Sequence, residues 1–257
     1  MSEVIIARGK DPRLRTYLAL KALNPTFSRK VLIKPNLVEP MPNNSGAITR
    51  KEVVEGVIQF LKEMGYEMIV GEGAAIWNTM ECFDMAGYFE LSKKYKVKFL
   101  DLNRGKFERI NGKFWEFEVA KIALECDVVS VAVLKEHAFG VTLTLKNLMG
   151  LLRPRGNYPL RAYMHAEGNE EIWAKRLMDL VRAIKPKLAI IDATTGMFGS
   201  HLFGKLVPLD LTLASKDAVA CDLAGAELLG HKEISYLKLA LEEGLGKNPR
   251  IRWIEIA

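Results

Sequence analysis

The sequence is poor in cysteine and glutamine and has no long apolar segment, and each scarcity excludes a class of protein. Its three cysteines, Cys82, Cys126 and Cys221, are far apart, and no CxxC pair occurs. This pattern argues against a disulfide framework, and against a zinc ribbon or an iron–sulfur cluster ligated by this chain alone. It predicts free, buried thiols. The single glutamine beside many lysines, arginines and glutamates favours a thermophilic source.

Two further absences concern location. No segment approaches the roughly 20 apolar residues of a membrane span. The first residues, MSEVIIARGKDPRLR, lack the basic stretch and apolar core of a signal peptide. A cytoplasmic protein without a membrane segment is therefore expected.

Length, composition and charge indicate a soluble globular protein that binds a small anion. The chain has 257 residues, of which 49% are hydrophobic and 26% are charged, and its formal net charge is +6. Lysines and arginines are scattered without interleaved aromatic residues, which argues against nucleic-acid binding. A small anionic ligand accounts better for the positive charge. The oligomeric state is not indicated by these features.

Apolar runs rich in valine and isoleucine alternate with helical patterns, which predicts an α/β fold. Predicted strands cover 31–38, 67–73, 96–102, 126–135, 187–196, 209–215 and 251–256, and predicted helices cover 49–65, 79–95, 170–185, 217–230 and 233–246. A capping box, Thr49 with Glu52, is expected to open the first helix. Residues 106–117 predict a β-hairpin insertion with Asn111-Gly112 in a type I′ turn. The expected architecture is a mostly parallel sheet flanked by helices in one domain over 1–257. An arrangement of this domain as two lobes around a cleft would fit the same pattern.

Several polar residues follow or end predicted strands, where ligands bind in open α/β folds. They are Lys34 and Asn36, Lys135 and His137, Asp192, and Asp217.

The three candidate carboxylates have structural as well as functional interpretations. Asp217 is suited to cap the helix that follows it, and Asp192 suits either a turn or a site role. Asp222 lies inside an apolar helix, so a buried partner is required, for which a site lysine is a candidate. If functional, these residues would orient an imidazole or bind a metal.

The segment KEHAFGVTLTLKN (135–147) places two lysines and a histidine beside the most apolar strand. A short helix that starts at Thr142 would bring Lys146 and Asn147 back towards Lys135 and His137. The result would be a positive, partly desolvated pocket that attracts a carboxylate or phosphate. The following segment, RPRGNYPLRAYMH (153–165), is either a solvated loop or an anion clamp that supplies Arg155 and His165. A glycine-flanked loop carries His201, for which a surface role is expected.

The wording of several segments resembles the family called DUF362. The resemblance rests on IKPNLVEP, ITRKEVVEGVIQFLKEMG, LKEHAFGVTLTLKNLMGLL, YMH, IIDATTGM and LASKDAVACDLAGAELLG, which run in this order from residue 31 to 230. The family name implies no established reaction. Its members often carry an added ferredoxin-like module with two four-iron clusters. Because this chain lacks those cysteines, the resemblance implies a separate iron–sulfur protein as a partner.

The spacing of three residues resembles the catalytic region of lactate racemase-type proteins more weakly. His137 and Lys146 are nine residues apart, and His165 follows nineteen residues later. FGVTLTL stands where that family has a glycine-rich stretch. The resemblance implies a lysine, here Lys146, that tethers a nickel-pincer nucleotide. It implies histidines, here His137 and His165, that exchange a proton or hydride at a 2-hydroxy acid carbon.

The sequence supports two functional hypotheses. In the first, the protein is an enzyme that binds a small anionic metabolite and transfers a proton in an isomerase- or racemase-like reaction. His137, His165 and Lys146 would be catalytic. The substrate-binding residues would be Lys34, Asn36, Lys135, Asn147 and Arg155. In the second, it is a non-catalytic binding or redox-partner module that acts with a separate iron–sulfur protein.

Overall fold

The computed structural model describes residues 1–76, 78–156 and 159–256, and at 166 and 167 the backbone alone. In these residues the strands are β1 (Ser2–Arg8), β2 (Val31–Lys34), β3 (Met68–Glu72), β4 (Lys98–Asp101), β5 (Phe107–Asn111), β6 (Glu116–Ala120), β7 (Asp127–His137), β8 (Gly140–Thr142), β9 (Leu188–Phe198), β10 (Lys205–Ser215) and β11 (Pro249–Glu255). The helices are α1 (Pro12–Leu23), α2 (Lys51–Glu63), α3 (Thr79–Met85), α4 (Phe89–Tyr95), α5 (Lys121–Glu125), α6 (Thr144–Asn147), α7 (Glu170–Ile184), α8 (Ala218–Leu228) and α9 (Ser235–Glu242). Two 3-10 helices in these residues span Leu148–Leu151 and Ala162–Gly168.

One large sheet organises these elements. Its strand order is β11-β1-β10-β9-β7-β2-β3-β4, and β8 pairs with β7 outside this path. Strands β2, β3, β4, β7 and β9 run parallel to their neighbours in that part of the sheet. Strand β10 is antiparallel to both β1 and β9. The predicted α/β fold with a mostly parallel sheet is therefore confirmed, and β5 and β6 form the predicted separate hairpin.

The sheet is covered on both faces, which explains why its central strands are so apolar. One hydrophobic cluster contains Leu134, Trp173 and Tyr236, and the other contains Ile33 and Phe83. Strand β7 is buried from Asp127 to Lys135 and contributes alternate side chains to each cluster. Strand β7 is therefore central in the sheet, and its carboxyl end carries side chains from the core to the end of the sheet where ligands can bind.

Four local predictions are wrong for identifiable reasons. The segment 79–95 forms two helices, α3 and α4, because Gly87 between them has φ +72°. The hairpin turn spans four residues, with Gly112 N donating to Trp115 O at 3.0 Å, so Asn111 ends a strand and no type I′ turn forms. Helix α2 has no capping box, because the Thr49 hydroxyl donates instead to Val131 O at 2.8 Å. Helix α6 begins at Thr144, and Thr142 belongs to β8.

Two findings bear on the expected environment of the chain. Cys82, Cys126 and Cys221 are free and buried, as the sequence predicts. In the described part of the chain, no helix combines the length and apolar character that crossing a bilayer requires.

Candidate functional site

A cavity of about 280 Å³ opens at the carboxyl ends of β2, β3 and β7. Its charged and polar lining consists of Lys34, Asn36, Glu72, Lys135, His137, Thr142, Lys146, Asn147, Arg161, His165 and His201. Apolar side chains, among them Val38, Ile76 and Met149, complete the described wall. Adjacent parallel strands end at the same edge of a sheet, which is why residues so distant in sequence meet here.

A buried ion pair forms the floor of the cavity. Lys34 Nζ donates to Glu72 Oε1 at 2.6 Å, and both side chains are almost fully buried. The remaining capacity of the carboxylate is used by the backbone, since Leu37 N donates to Oε2 at 2.9 Å and Gly73 N to Oε1 at 2.7 Å. Burial lowers the pKa of Lys34, and the charge of Glu72 acts in the opposite direction. This pair is internally compensated and adds no net charge to the cavity.

Two asparagines tie this floor to helix α6. Asn147 Oδ1 accepts from Lys34 Nζ at 3.0 Å and from Asn36 Nδ2 at 3.2 Å. Asn147 Nδ2 donates to Lys34 O at 3.0 Å and to Ser130 Oγ at 3.1 Å. Asn36 Oδ1 and the hydroxyl of Thr142, both on cavity residues, have no hydrogen-bond partner among the described residues. The wall thus retains hydrogen-bonding capacity that a polar ligand can use after a small side-chain rotation.

Two lysines line the cavity without a carboxylate partner in the described residues. Lys135 is 1% exposed, and its Nζ donates to the carbonyl of Ala47 at 2.6 Å. Burial, and after it the positive charge of Lys146, lowers the pKa of Lys135 to about 7. Burial also lowers the pKa of Lys146 to about 8. Both ammonium groups are therefore held in an environment that disfavours their own charge.

Three imidazoles stand beside these lysines. The ring centroids of His137 and His165 are 5.7 Å apart, and those of His137 and His201 are 5.0 Å apart. Burial, reinforced by Lys146 and other nearby cations, lowers the pKa of His137 to about 2. Burial, followed by neighbouring cations, lowers the pKa values of His165 and His201 to about 4 each. All three rings are neutral at pH 7 and can accept a proton.

A buried carboxylate from another element fixes the helix that carries Lys146. Asp222 on α8 accepts from Thr144 N at 2.8 Å, from the Thr144 hydroxyl at 2.5 Å and from Leu145 N at 2.9 Å. Burial raises the pKa of Asp222 to about 7, although these hydrogen bonds act in the opposite direction. The expected lysine partner is therefore replaced by the first backbone groups of α6, which need acceptors at a helix start.

Arg161 adds a further positive charge. Its side chain is buried, and its guanidinium donates to the carbonyls of Gly73, Ala74, Gly150 and Leu152 and to Asn103 Oδ1. These partners satisfy its N–H groups but leave its charge uncompensated by any carboxylate within ion-pair distance among the described residues. Arg161 therefore contributes to the positive potential of the cavity and braces its wall.

Most of the predicted site residues meet in this cavity. Lys34, Asn36, Lys135, His137, Lys146, Asn147 and His165 all line it.

Four predicted residues do not line the cavity. Asp222 binds the start of α6, as described above, two more carboxylates accept from backbone groups, and one arginine is exposed. Asp192 accepts from Arg50 N at 2.9 Å and from the Thr194 backbone and hydroxyl. Asp217 caps α8 through Val219 N and Ala220 N, as its alternative interpretation predicted. Arg155 is exposed and pairs with Glu118 at 3.6 Å.

Three ionisable residues of the described lining, Glu72, Arg161 and His201, were not among the predicted site residues. Glu72 ends strand β3 and Arg161 lies in the arginine-rich loop, so the position of each along the chain was a usable signal. His201 was expected at the surface, but its loop, residues 199–204, folds over β7. There Gly199 N donates to Glu136 Oε2 at 2.5 Å. Gly199 and Glu136 are 63 residues apart in sequence, so no local pattern predicts this contact.

The lactate racemase-type resemblance implies a nickel group tethered at Lys146, which the described residues leave untested. No set of three or more histidine, cysteine, aspartate or glutamate side chains in that part of the chain is arranged to hold a metal ion. The three histidines neighbour one another as rings, in stacked and tilted arrangements. That resemblance stays a prediction.

Comparison with known proteins extends the description. Residues 31–227 match the family described as "Domain of unknown function (DUF362)". The chain is also similar to a thylakoid-associated protein of Synechocystis sp., with 28% identity over 225 residues, which are 86% of this chain and 69% of that protein. The cavity residues from Lys34 to His201 all fall inside the matched range.

Proposed function

The chain belongs to the DUF362 family, and from that premise we propose that it is an enzyme that acts on a small carboxylate- or phosphate-bearing metabolite in the cavity at the strand ends. The proposed reaction is a proton transfer of the isomerase or racemase kind. The observation that carries the proposal is the surplus of positive charge, without carboxylate partners among the described residues, in a recessed and partly apolar cavity.

The charges can be assigned one by one. Glu72 is matched by Lys34, whereas Lys135, Lys146 and Arg161 have no carboxylate within ion-pair distance among the described residues. Like charges in a small, desolvated space repel, and the repulsion is relieved by proton loss or by a bound anion. Burial is the main cause of the lowered pKa values of Lys135 and Lys146, and the charge of Lys146 adds to the lowering at Lys135. A bound anion would stabilise the protonated forms of Lys135 and Lys146, and this attraction would favour binding of the anion.

The histidines supply the second half of the proposal. A general base must be neutral at the working pH and within reach of the proton it removes. His137 and His165 are neutral and line the same cavity as the lysines. Burial is the main cause of their lowered pKa values, and a bound anion would offset the smaller contribution of Lys146, which would make each ring a stronger base. Proton abstraction at the carbon beside a carboxylate is the reaction that this arrangement favours.

Thermal unfolding tests the anion site. The wild type, Lys146→Met and the matched control Lys238→Met, which changes an exposed lysine on α9, are heated with and without phosphate, sulfate, pyruvate or lactate. At a ligand concentration of about 100 Kd, binding stabilises by roughly 2.7 kcal/mol. This should raise the melting temperature of the wild type and the control by several degrees. Lys146→Met should respond less, and without ligand its stability should equal or exceed that of the wild type.

Hydrogen exchange into the substrate tests catalysis. A set of 2-hydroxy and 2-oxo acids is incubated with the protein in heavy water. NMR follows the loss of the C2 proton from the hydroxy acids and of the C3 protons from the oxo acids. Exchange that His137→Phe and His165→Phe abolish supports the enzyme. Anion binding without exchange for any acid supports a binding module instead, for which a separate iron–sulfur protein is the candidate partner.

A further inference from the structure

The three lysines of the cavity differ in what their ammonium groups already bind. Lys34 donates to Glu72 at 2.6 Å and to Asn147 at 3.0 Å. Lys135 donates to Ala47 O at 2.6 Å and is 1% exposed. Lys146 lines the cavity and is partly exposed, and among the described residues it has neither a hydrogen-bond nor an ion-pair partner. Among the described cavity lysines, a ligand meets no existing partner at Lys146, whereas at Lys135 it can bind only the N–H groups that Ala47 O leaves free.

Resting on the proposed function, we propose that Lys146 is a nucleophile that forms an imine with the carbonyl carbon of a small carboxylate-bearing carbonyl compound, such as a 2-oxo acid. Lys135 holds the carboxylate of this compound. The modest size of the cavity, about 280 Å³, lies at the lower end of the roughly 300–1,000 Å³ of ligand pockets and restricts the compound to a short chain.

The environment of Lys146 favours the neutral amine that such chemistry requires. Amine nucleophiles are activated by desolvation or by an adjacent cation. Desolvation applies to Lys146, because burial lowers its pKa to about 8. Lys135 lies close enough for the charge of Lys146 to lower the pKa of Lys135. A surface lysine, with a pKa near 10.4, has about a hundredfold less free amine at neutral pH.

The position of Lys146 is also fixed on both sides along the chain. Asp222 binds the Thr144 and Leu145 amides at the start of α6, and the side chain of Asn147 donates to Lys34 O and Ser130 Oγ. A nucleophile on an anchored helix needs little reorganisation to meet a bound carbonyl group.

The reaction uses only groups of this chain and the ligand. The lone pair of Lys146 Nζ attacks the carbonyl carbon, the carbonyl π electrons move to oxygen, and a proton passes from nitrogen to that oxygen. The carbinolamine then loses its hydroxyl as water, and nitrogen gives up its second proton as the C=N bond forms. Neutral His137 and His165 line the same cavity and can carry these protons. No oxidant or reductant is required.

Reductive trapping tests the inference. Wild-type protein is incubated with pyruvate or glyoxylate and sodium cyanoborohydride, digested and mapped by mass spectrometry. Hydride addition to the imine leaves a secondary amine, so the modified peptide gains the mass of the acid less one oxygen atom. We expect this gain on Lys146, at least tenfold faster than on any other lysine. Lactate has no ketone or aldehyde and should leave no adduct, and propanal, which lacks the carboxylate, should react more slowly.

Variants and the thermal assay separate this inference from the proposed function. Lys146→Arg preserves the charge and should remove the adduct, Lys135→Met should slow its formation, and Lys238→Met should change nothing. If pyruvate stabilises the wild type but the adduct forms on Lys135 or on scattered surface lysines, the nucleophile assignment is wrong and the anion site stands. If the adduct forms on Lys146 but no acid stabilises the protein, the imine chemistry stands and the anion site is wrong. Because the wild-type map alone decides the position, a poorly folding variant does not leave the inference open.

Discussion

Asp222 and Thr144 lie 78 residues apart in sequence, and the carboxylate accepts both the amide and the hydroxyl of the threonine, at 2.8 and 2.5 Å. This contact joins α8 to the start of α6, where Lys146 and Asn147 follow within one turn. The geometry of the cavity lysine thus depends on a carboxylate that does not line the cavity.

The first prediction concerns Asp222→Asn. Asparagine would place an NH2 group where Asp222 Oδ2, ionised or protonated, accepts from Leu145 N. Two donors would then face each other, so the free energy of unfolding should fall by about 1–3 kcal/mol. Burial raises the pKa of Asp222 to about 7, above that of an unfolded aspartate. The folded state therefore binds the extra proton, and this contribution to stability is full at acidic pH and is lost as the pH rises to about 7. Urea unfolding from pH 4 to 8 should show a variant deficit that narrows with rising pH. A deficit that widens would contradict the assignment.

The second prediction concerns the Lys34–Glu72 pair. Glu72→Gln removes the only carboxylate in contact with Lys34 among the described residues, so a buried ammonium would be left unpaired. Breaking a buried pair in this way costs about 3–5 kcal/mol. Lys34→Met and the double variant complete a double-mutant cycle, for which we expect a coupling free energy of about 1–3 kcal/mol. Additive effects of the two substitutions would show that the pair is not a structural unit.

The location of the cavity was predictable from the sequence, but its charge balance was not. Buried strands can be identified by composition, and Lys34, Lys135 and His137 lie at the carboxyl ends of such strands. Their meeting at one edge of the sheet could therefore be inferred. The partners of Asp192 and Asp222 are backbone amides of distant segments, Arg50 and Thr144. Which carboxylate caps which helix is decided by packing across the sheet, and no local pattern shows it.

The first strand and helix were missed for a related reason. Strand β1, SEVIIAR, has an apolar run of only four residues, which is too short to predict a strand by itself. Helix α1 has Arg15 on its buried side, where the guanidinium donates to the Thr194 hydroxyl and Gly9 O. A buried arginine breaks the apolar pattern by which an amphipathic helix is identified.

The third prediction concerns the loop that carries His201. Glu136 binds two groups at once, accepting from Gly199 N at 2.5 Å and contacting His231 Nε2 at 2.7 Å. Glu136→Gln leaves one acceptor oxygen, so one contact is weakened and the loop opens more often. Amide hydrogen exchange in residues 199–204 should become about tenfold faster, the factor that corresponds to roughly 1.4 kcal/mol of local stability. Exchange in the core of β9, near Ile190, serves as the internal control and should not change. Equal acceleration in both places would indicate global destabilisation instead.

The fourth prediction concerns Lys135 and Lys146, which have no carboxylate partner among the described residues. Their folded-state pKa values, about 7 for Lys135 and about 8 for Lys146, lie below the 10.4 of an unfolded lysine. The unfolded chain therefore binds more protons between pH 7 and 10, so the ligand-free protein should gain stability from these groups as the pH rises through that window. Anion affinity should change in the opposite sense and fall, because the cations that hold the anion are lost.

Other charged groups near the pair set the size of this effect but not its sign. Glu39 and Glu72 raise the pKa of Lys135, whereas Lys146 lowers it. His137, His165 and His201 face the pair as neutral rings at these pH values. Lys146→Met removes one of the two titrating groups and the repulsion between them. The variant should therefore show a smaller gain in stability from pH 7 to 10 than the wild type and Lys238→Met, measured by thermal unfolding in a buffer free of phosphate and carboxylates. Equal slopes in all three proteins would mean that Lys146 keeps an ordinary lysine pKa, and the desolvated cationic cavity would then be the wrong description of this site.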